Sequence, residues 1–383
     1  MKKKKLCIVT STRAEYGLLR NIIKKAQQDD SFETALAVTG SHLSLQYGNT
    51  VEEIEKDSVK IDERIEILNG GDSELDICIN MGKALTAFAD YFERTKPDMV
   101  MLLGDRYEIC AIACAAVNMR VPIVHLYGGE TTEGAVDEAF RHSITKMSYL
   151  HFTATEVYRN RVIQLGEDPE RVYNVGSMGI ENIKTIPLMS REELSGSIGI
   201  DLSGEYVIGT FHPVTLEAGS AEVQCKELME ACGRFPDLTF VFTKANADVD
   251  GNKINKLLEE YAHDKENIYL VDSLGYRRYL SALNNAEFVI GNSSSGITEA
   301  PSFKIPTINI GIRQKGRIQA DSIINCMPVS DDIDRAIREA LFMDCSNVSN
   351  PYEKEGTSDF ILRVIKEYLE NNKIYLAKRF FDK

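Results

Sequence analysis

"YVIGTFHP", residues 206–213, is an apolar, β-branched run that closes on a histidine and a proline, and it is where the pattern of this chain starts afresh. Upstream, "LCIVT" (6–10), "TALAVTG" (34–40), "DMVMLLG" (98–104), "VPIVHLYGG" (121–129), "HFTAT" (151–155) and "VYNVG" (172–176) read as strands, with helical periodicity over 16–28, 76–94 and 106–118 between them. From residue 206 a second series follows, in which "LTFVFTKAN" (238–246), "IYLVDSL" (268–274), "EFVIGNSS" (287–294) and "PTINIG" (306–311) join the opening run. A strand covered on both faces shows no polar alternation, so continuous apolar runs separated by helices denote parallel sheets. The expected fold is α/β, with two Rossmann-like domains. The polar, glycine- and serine-bearing stretch 183–204 is the expected join, giving a first domain over 1–183 and a second over 184–355. The helical run "SDFILRVIKEYLENN" and the tail behind it, segment 356–383, are expected to complete the first domain.

Bulk properties limit what such a chain does. At 383 residues it exceeds what one core supports. A net charge of -14 and a pI near 5.1 argue against tracking nucleic-acid phosphates and against a polybasic membrane contact, so an anionic ligand must be held by local cations and backbone amides. The apolar stretch after Lys2–Lys5 covers only Leu6–Val9, too short for a signal peptide or a span, and a cytoplasmic location is expected. Eight cysteines without a CxxC pair read as reduced core thiols, Cys110 and Cys114 included. The histidines form no HxxxH or HExxH, and no GxGxxG follows the first strand, so neither a metal nor a nicotinamide cofactor is expected.

In open parallel sheets ligands bind outside the carboxyl ends of the strands, and the polar residues of this chain gather at those ends. The first half supplies Arg13, His42, Asp105, Arg106 and Glu130; the second supplies His212, Lys244, Asn246, the run "GNSSSG" (291–296) and Arg313. "GNSSSG" has the character of a phosphate loop opening a helix at Ser293 and Ser294, although Ile297 stands where a Walker lysine would be; an ordinary capped turn is the alternative. Glu299 on the same expected helix would accept from a ribose diol, or else be a solvated helical glutamate. Arginine forks suit phosphate oxygens. In "HLYGGETTEGAVDEAFRHS" (125–143) Glu130, Glu133, Asp137 and Glu138 crowd together beside Arg141 and His142. A helix entered near Asp137 sets Asp137 against Arg141 and Glu138 against His142 at i, i+4, and crowding of carboxylates raises the pKa of at least one, separating an acid from a base.

"GDRYE", "GGE...VDEAFRHSITK", "FHP" and "GNSSSGITEAPSFKIPTINIGIRQKGR" closely resemble the hydrolysing UDP-N-acetylglucosamine 2-epimerases, from about residue 5 to about residue 370. The resemblance implies a glycosyltransferase-B type fold with the active site in the interdomain cleft, no cofactor, and a homodimer or homotetramer. Arg106 of "GDR" looks like the hydrolysing branch, since nonhydrolysing relatives usually carry GDT. It further implies that Arg13, Arg106, His212, Asn246, Ser293, Ser294, Glu299 and Arg313 contact UDP. His42, Asp105, Glu130, Asp137 and Arg141 would lie around the sugar. Several relatives place glutamate where this chain has Tyr127, so a base assigned there does not transfer. The implied reaction expels UDP to give a glycal and then adds water with inversion at C2, releasing N-acetylmannosamine. Asp105 and Asp137 are the expected proton-handling pair, with Glu130 and His212 as the nearest rivals. Alternatives are the same chemistry on UDP-2,4-diacetamido-2,4,6-trideoxyglucose in a legionaminic acid pathway, a retaining glycosyltransferase, and a sugar-nucleotide sensor without turnover.

Overall fold

The computed structural model describes residues 3–71, 73–132, 136–214, 219–245, 251–371 and 374–382. Among them lie two separate, wholly parallel sheets. The first contains β1 (Lys4–Thr10), β2 (Phe32–Thr39), β3 (Glu63–Ile65), β4 (Met99–Leu103), β5 (Ile123–Leu126), β6 (Leu150–Thr153) and β7 (Val172–Asn174). The second contains β8 (Tyr206–Thr210), β9 (Thr239–Thr243), β10 (Ile268–Val271), β11 (Val289–Gly291), β12 (Thr307–Ile310) and β13 (Ile323–Cys326). Edge to edge the orders are β3-β2-β1-β4-β5-β6-β7 and β10-β9-β8-β11-β12-β13. Each sheet therefore reverses its winding once, between β1 and β4 in the first and between β8 and β11 in the second, and such reversals are where an open sheet leaves a crevice at its carboxyl edge. In β1, Ile8 lies between Leu36 and Met101, and all three are fully buried.

The expected α/β class with two Rossmann-like halves is the one observed. Two strands go unnoticed in the sequence, β3 ("ERI") and β13 ("IINC"), because each is an edge strand of only three or four residues, too brief to show a pattern. The expected strand 121–129 is trimmed to Ile123–Leu126, since the chain turns away at Tyr127, whose φ of +66° no strand accommodates.

The chain divides into two compact units, one of Met1–Glu130, Asp137–Asn182 and Lys354–Lys383, the other of Thr131–Val136 and Ile183–Glu353. In the first, Ile361, Leu362, Val364, Ile365 and Leu369 of the helix Thr357–Glu370 pack into the cluster around Leu6, Ile8 and Leu36. Thr357 Oγ1 donates to the Val175 carbonyl at 2.7 Å and anchors the start of that helix. In the second, Val207, Phe240, Ile290 and Ile308 from four strands meet Leu228, Ile254 and Ile337 from the covering helices. Local chemistry fixes the helix ends: Thr12 accepts from the Glu15 amide, and Ser73 forms a reciprocal capping box with Asp76.

Candidate active site

The reversal between β1 and β4 delivers Ser11, Arg13, Asp105 and Arg106 to one edge of the first unit. Arg13 opens the helix Arg13–Gln28, and Arg106 is the N-cap of the helix Tyr107–Asn118, so both cations stand where helix amides already favour an anion. Burial draws the Arg13 guanidinium below its ordinary value, with the Glu53 charge opposing. His42, in the turn after β2, is fully buried; Nε2 faces Thr10 Oγ1 at 3.0 Å and Nδ1 faces Thr50 Oγ1 at 2.8 Å. Burial holds its pKa down at about 3, so it is a neutral ring with both nitrogens engaged, which suits orienting the β1 and β2 ends better than moving a proton.

Arg141 organises the carboxylates. It lies one turn into the helix Asp137–Met147 with its side chain 1 % exposed, and its fork spans two acids. Nη2 donates to Asp105 Oδ2, while Nη1 donates to Glu138 Oε2 at 2.6 Å and to the Glu130 carbonyl at 3.1 Å. Arg141 thus ties the loop after β4 to that after β5 and to the start of its own helix. Two of its bonds run to Asp105, 36 residues away, and to Glu138 at i, i+3. Glu138 also meets His142 Nε2 at 3.1 Å, the expected i, i+4 contact. Asp137 is half-buried at the first position of the helix, and Glu130 is buried.

His125, which the sequence reading passed over, fixes this loop from below. Its Nε2 must donate to the Gly104 carbonyl at 2.8 Å, which leaves Nδ1 to accept from Thr145 Oγ1 at 3.1 Å, and burial keeps the ring neutral with a pKa of about 3. The residue before Asp105 is thereby pinned to the helix that carries Arg141. Tyr127 keeps its left-handed backbone while its hydroxyl bonds Ser177 Oγ at 2.9 Å and accepts from the Met178 amide at 2.8 Å.

At the β8 and β11 ends of the second unit, Asn292 is the pivot. Its Oδ1 accepts from the His212 amide at 2.7 Å and its Nδ2 donates to the His212 carbonyl at 2.8 Å, so the backbone of the buried His212 is held on both sides. The Asn292 carbonyl in turn accepts from Arg313 Nη1 at 3.1 Å and Gln314 Nε2 at 2.8 Å. Gly291 permits this approach: its φ is +132° and a Cβ would lie 2.0 Å from the Thr210 carbonyl oxygen. The phosphate-loop reading needs correcting in one respect, because "GNSSSG" opens a helix of only five residues, Ser294–Thr298, before a tighter turn over Ala300–Phe303. Ser293 is its N-cap without a side-chain capping bond. Glu299 is buried rather than solvated; it accepts from Tyr276 at 2.9 Å and from Ser295, whose hydroxyl also meets Tyr279 at 2.6 Å. Burial raises its pKa, against the pull of those hydroxyls.

Lys244 is engaged elsewhere, with Glu259 at 2.9 Å and Asp272 at 2.6 Å. Asn246 and Glu133 lie outside the described residues. His125 carried a signal that could have been read, since it is a polar residue inside an otherwise apolar run, where a buried polar side chain must be answered by a partner. Among the described residues no group of three or more His, Cys, Asp or Glu side chains is arranged to hold a metal ion, and no helix is long and apolar enough to cross a membrane.

The comparisons with known proteins agree with one another. The family model described as UDP-N-acetylglucosamine 2-epimerase matches residues 24–366. A Campylobacter jejuni GDP/UDP-N,N'-diacetylbacillosamine 2-epimerase (hydrolyzing) is 43 % identical over 340 residues, covering 88 % of this chain and 88 % of that protein. The Escherichia coli polysialic acid biosynthesis protein P7 is 40 % identical, over 99 % of this chain and 97 % of its own. Among solved structures, Methanocaldococcus jannaschii UDP-GlcNAc 2-epimerase, crystallised with UDP-GlcNAc and UDP, superposes with a TM-score of 0.80 over 95 % of this chain and 99 % of that one; at 19 % identity it speaks for the fold.

Proposed function

Because the chain belongs to the UDP-N-acetylglucosamine 2-epimerase family, we propose that it is the hydrolysing kind, converting UDP-GlcNAc and water to N-acetylmannosamine and UDP. The observation that carries this reading is the gathering of Asp105 and Glu138 by the buried Arg141 fork, with the Glu130 backbone held by the same group and Asp137 opening the same helix.

The chemistry asks for such an arrangement. No carbonyl adjoins C2, so its proton is not acidic until departure of UDP begins to build positive charge on the ring. Arg13, Arg106 and Arg313, with the helix amides behind the first two, are suited to stabilising the leaving diphosphate; His212, Ser293, Ser294, Asn246 and Glu299 are assigned to the rest of UDP. A carboxylate then removes the C2 proton to form the glycal, water adds at C1, and a proton returns to C2 from the other face. Inversion requires two proton-handling groups, for which Asp105 and Asp137 are proposed, with Glu130 and His212 as the rival candidates. Arg141 is proposed to orient Asp105, and His42 to hold the loop ends in place.

The 43 % identity to the Campylobacter protein supports a second reading, in which the substrate is the UDP-linked 2,4-diacetamido-2,4,6-trideoxy sugar. The 40 % identity to a polysialic acid biosynthesis protein supports UDP-GlcNAc, because sialic acids are built on N-acetylmannosamine. The test is to incubate the purified protein with each nucleotide sugar, without an acceptor, and separate the products by chromatography. Free UDP in equal amount to N-acetylmannosamine is the expected result. Turnover of the diacetamido sugar alone would transfer the same chemistry to that substrate, UDP-ManNAc as product would mean the nonhydrolysing reaction, and consumption of neither would overturn the assignment.

A further inference from the structure

Directly beneath Arg106, two glutamates that none of the above uses are buried against one hydroxyl. Ser11 follows β1, Glu15 is in the first turn of the helix Arg13–Gln28, and Glu108 is in the first turn of the helix Tyr107–Asn118; the three are 0 %, 5 % and 2 % exposed. The Ser11 amide donates to Glu15 Oε2 at 2.7 Å. Ser11 Oγ lies 3.0 Å from Glu15 Oε1, 2.9 Å from Glu15 Oε2 and 2.8 Å from Glu108 Oε1. Arg106 Nε donates to that same Glu108 oxygen at 2.8 Å, whereas Glu108 Oε2 is buried with no hydrogen-bond partner.

A serine hydroxyl has one hydrogen, so it can donate to one carboxylate and not to two. The second short contact needs a hydrogen from the acid itself. Since the guanidinium fixes negative charge on Glu108, the proton falls to Glu15, giving the chain Glu15 Oε1–H to Ser11 Oγ–H to Glu108 Oε1, which Arg106 closes.

We propose that Glu15 and Glu108 share a single proton through Ser11 and that the one charge left on the pair positions Arg106 for the diphosphate, the last step resting on the reading of Arg106 given above. Glu15 titrates in the direction this requires: burial, and then the Glu108 charge, push it up to about 8 against the opposing pull of Ser11 and Arg106. Also ionisable nearby are Tyr107, raised by burial and by the Glu108 charge, and the neutral His42, whose amide donates to the Ser11 carbonyl at 3.3 Å. Ionisation of Glu15 adds a second negative charge behind the arginine.

Two measurements on the full-length protein test this. In the first, 13C NMR follows the glutamate side-chain carboxyls of the unliganded protein from pH 5 to 10. One carboxyl with a midpoint near 8 is expected, absent from Glu15→Gln, whose amide replaces the protonated acid, and moved to lower pH in Glu108→Gln. All carboxyls titrating below about pH 6, or a midpoint near 8 that survives in Glu15→Gln, would overturn proton sharing. In the second, UDP affinity is measured calorimetrically at pH 7 and pH 9. Binding by the wild type should weaken at least about threefold as Glu15 ionises, and Glu15→Gln should remove that dependence. An unchanged dependence in Glu15→Gln would overturn the positioning role. Wild-type protein that fails to bind UDP would instead overturn the functional reading, and the carboxyl titration would still decide proton sharing.

Discussion

Replacing Arg141 by lysine preserves the charge and removes the fork, and the consequence follows from the bonds of that side chain. Arg141 answers Asp105 with one terminal nitrogen and Glu138 and the Glu130 carbonyl with the other, at a position only 1 % exposed. A single ammonium on a shorter stem can keep one carboxylate. The loss is then one charge-assisted bond, about 1.5–3 kcal/mol, and one neutral bond to a carbonyl, about 1 kcal/mol. Asp105 and Glu138 are each about a quarter exposed, so water recovers part of this, and a net cost of about 2–3 kcal/mol is expected for Arg141→Lys. Arg141→Met, which leaves both acids without their cation, should cost about 3–5 kcal/mol. The chain has no tryptophan, so urea unfolding is followed by far-ultraviolet circular dichroism. UDP release should fall together with stability, by about a hundredfold in kcat/KM for Arg141→Lys, since Asp105 loses its orientation. Unfolding within about 0.5 kcal/mol of wild type and undiminished turnover would refute the reasoning, because it would mean that the fork orders nothing.

Gly291→Ala drives a Cβ against the Thr210 carbonyl at 2.0 Å and is expected to destabilise the second unit by about 2–4 kcal/mol, seen as faster amide exchange in β8 and β11; unchanged exchange would contradict the close approach. Asp105→Asn and Asp137→Asn should each lower turnover more than about tenfold with the fold intact, and both retaining activity would remove them from the chemistry. His42, held at about 3 by burial, is neutral in the folded chain and takes up a proton on unfolding below about pH 6.5, so its contribution to stability is present above pH 6.5 and is lost as pH falls, by about 1.4 kcal/mol per unit. Glu15, raised to about 8, acts in the opposite sense, its contribution being full below about pH 4.5 and lost as pH rises through 8, so the wild-type profile is a net of the two. The difference between His42→Asn and wild type isolates the histidine and should flatten the slope between pH 6 and 5 by about 1.4 kcal/mol per unit; identical slopes would show that His42 is charged in the fold.

The repeated strand runs and the polar residues at their carboxyl ends were legible because burial on both faces and the reversal of winding leave their mark in local composition. What was hidden depends on pairs remote in the chain. Ser11 and Glu108 are 97 residues apart, and nothing near either signals that β1 and β4 become neighbours. The pairing of Arg141 with Asp105 was hidden for the same reason, since helical spacing ranks only local partners. Spacing left Glu299 open between a ribose acceptor and a solvated glutamate because the Tyr276 hydroxyl that reaches it comes from another helix. Edge strands β3 and β13, at three and four residues, were too brief to show a pattern.

The most direct measurement is proton NMR of the reaction with UDP-GlcNAc in deuterated water, without an acceptor. Elimination followed by hydration should release free UDP and N-acetylmannosamine carrying deuterium at C2, because the proton that leaves exchanges with solvent before another returns. Product that keeps its original hydrogen at C2, or UDP released with unepimerised N-acetylglucosamine, would contradict the proposed chemistry.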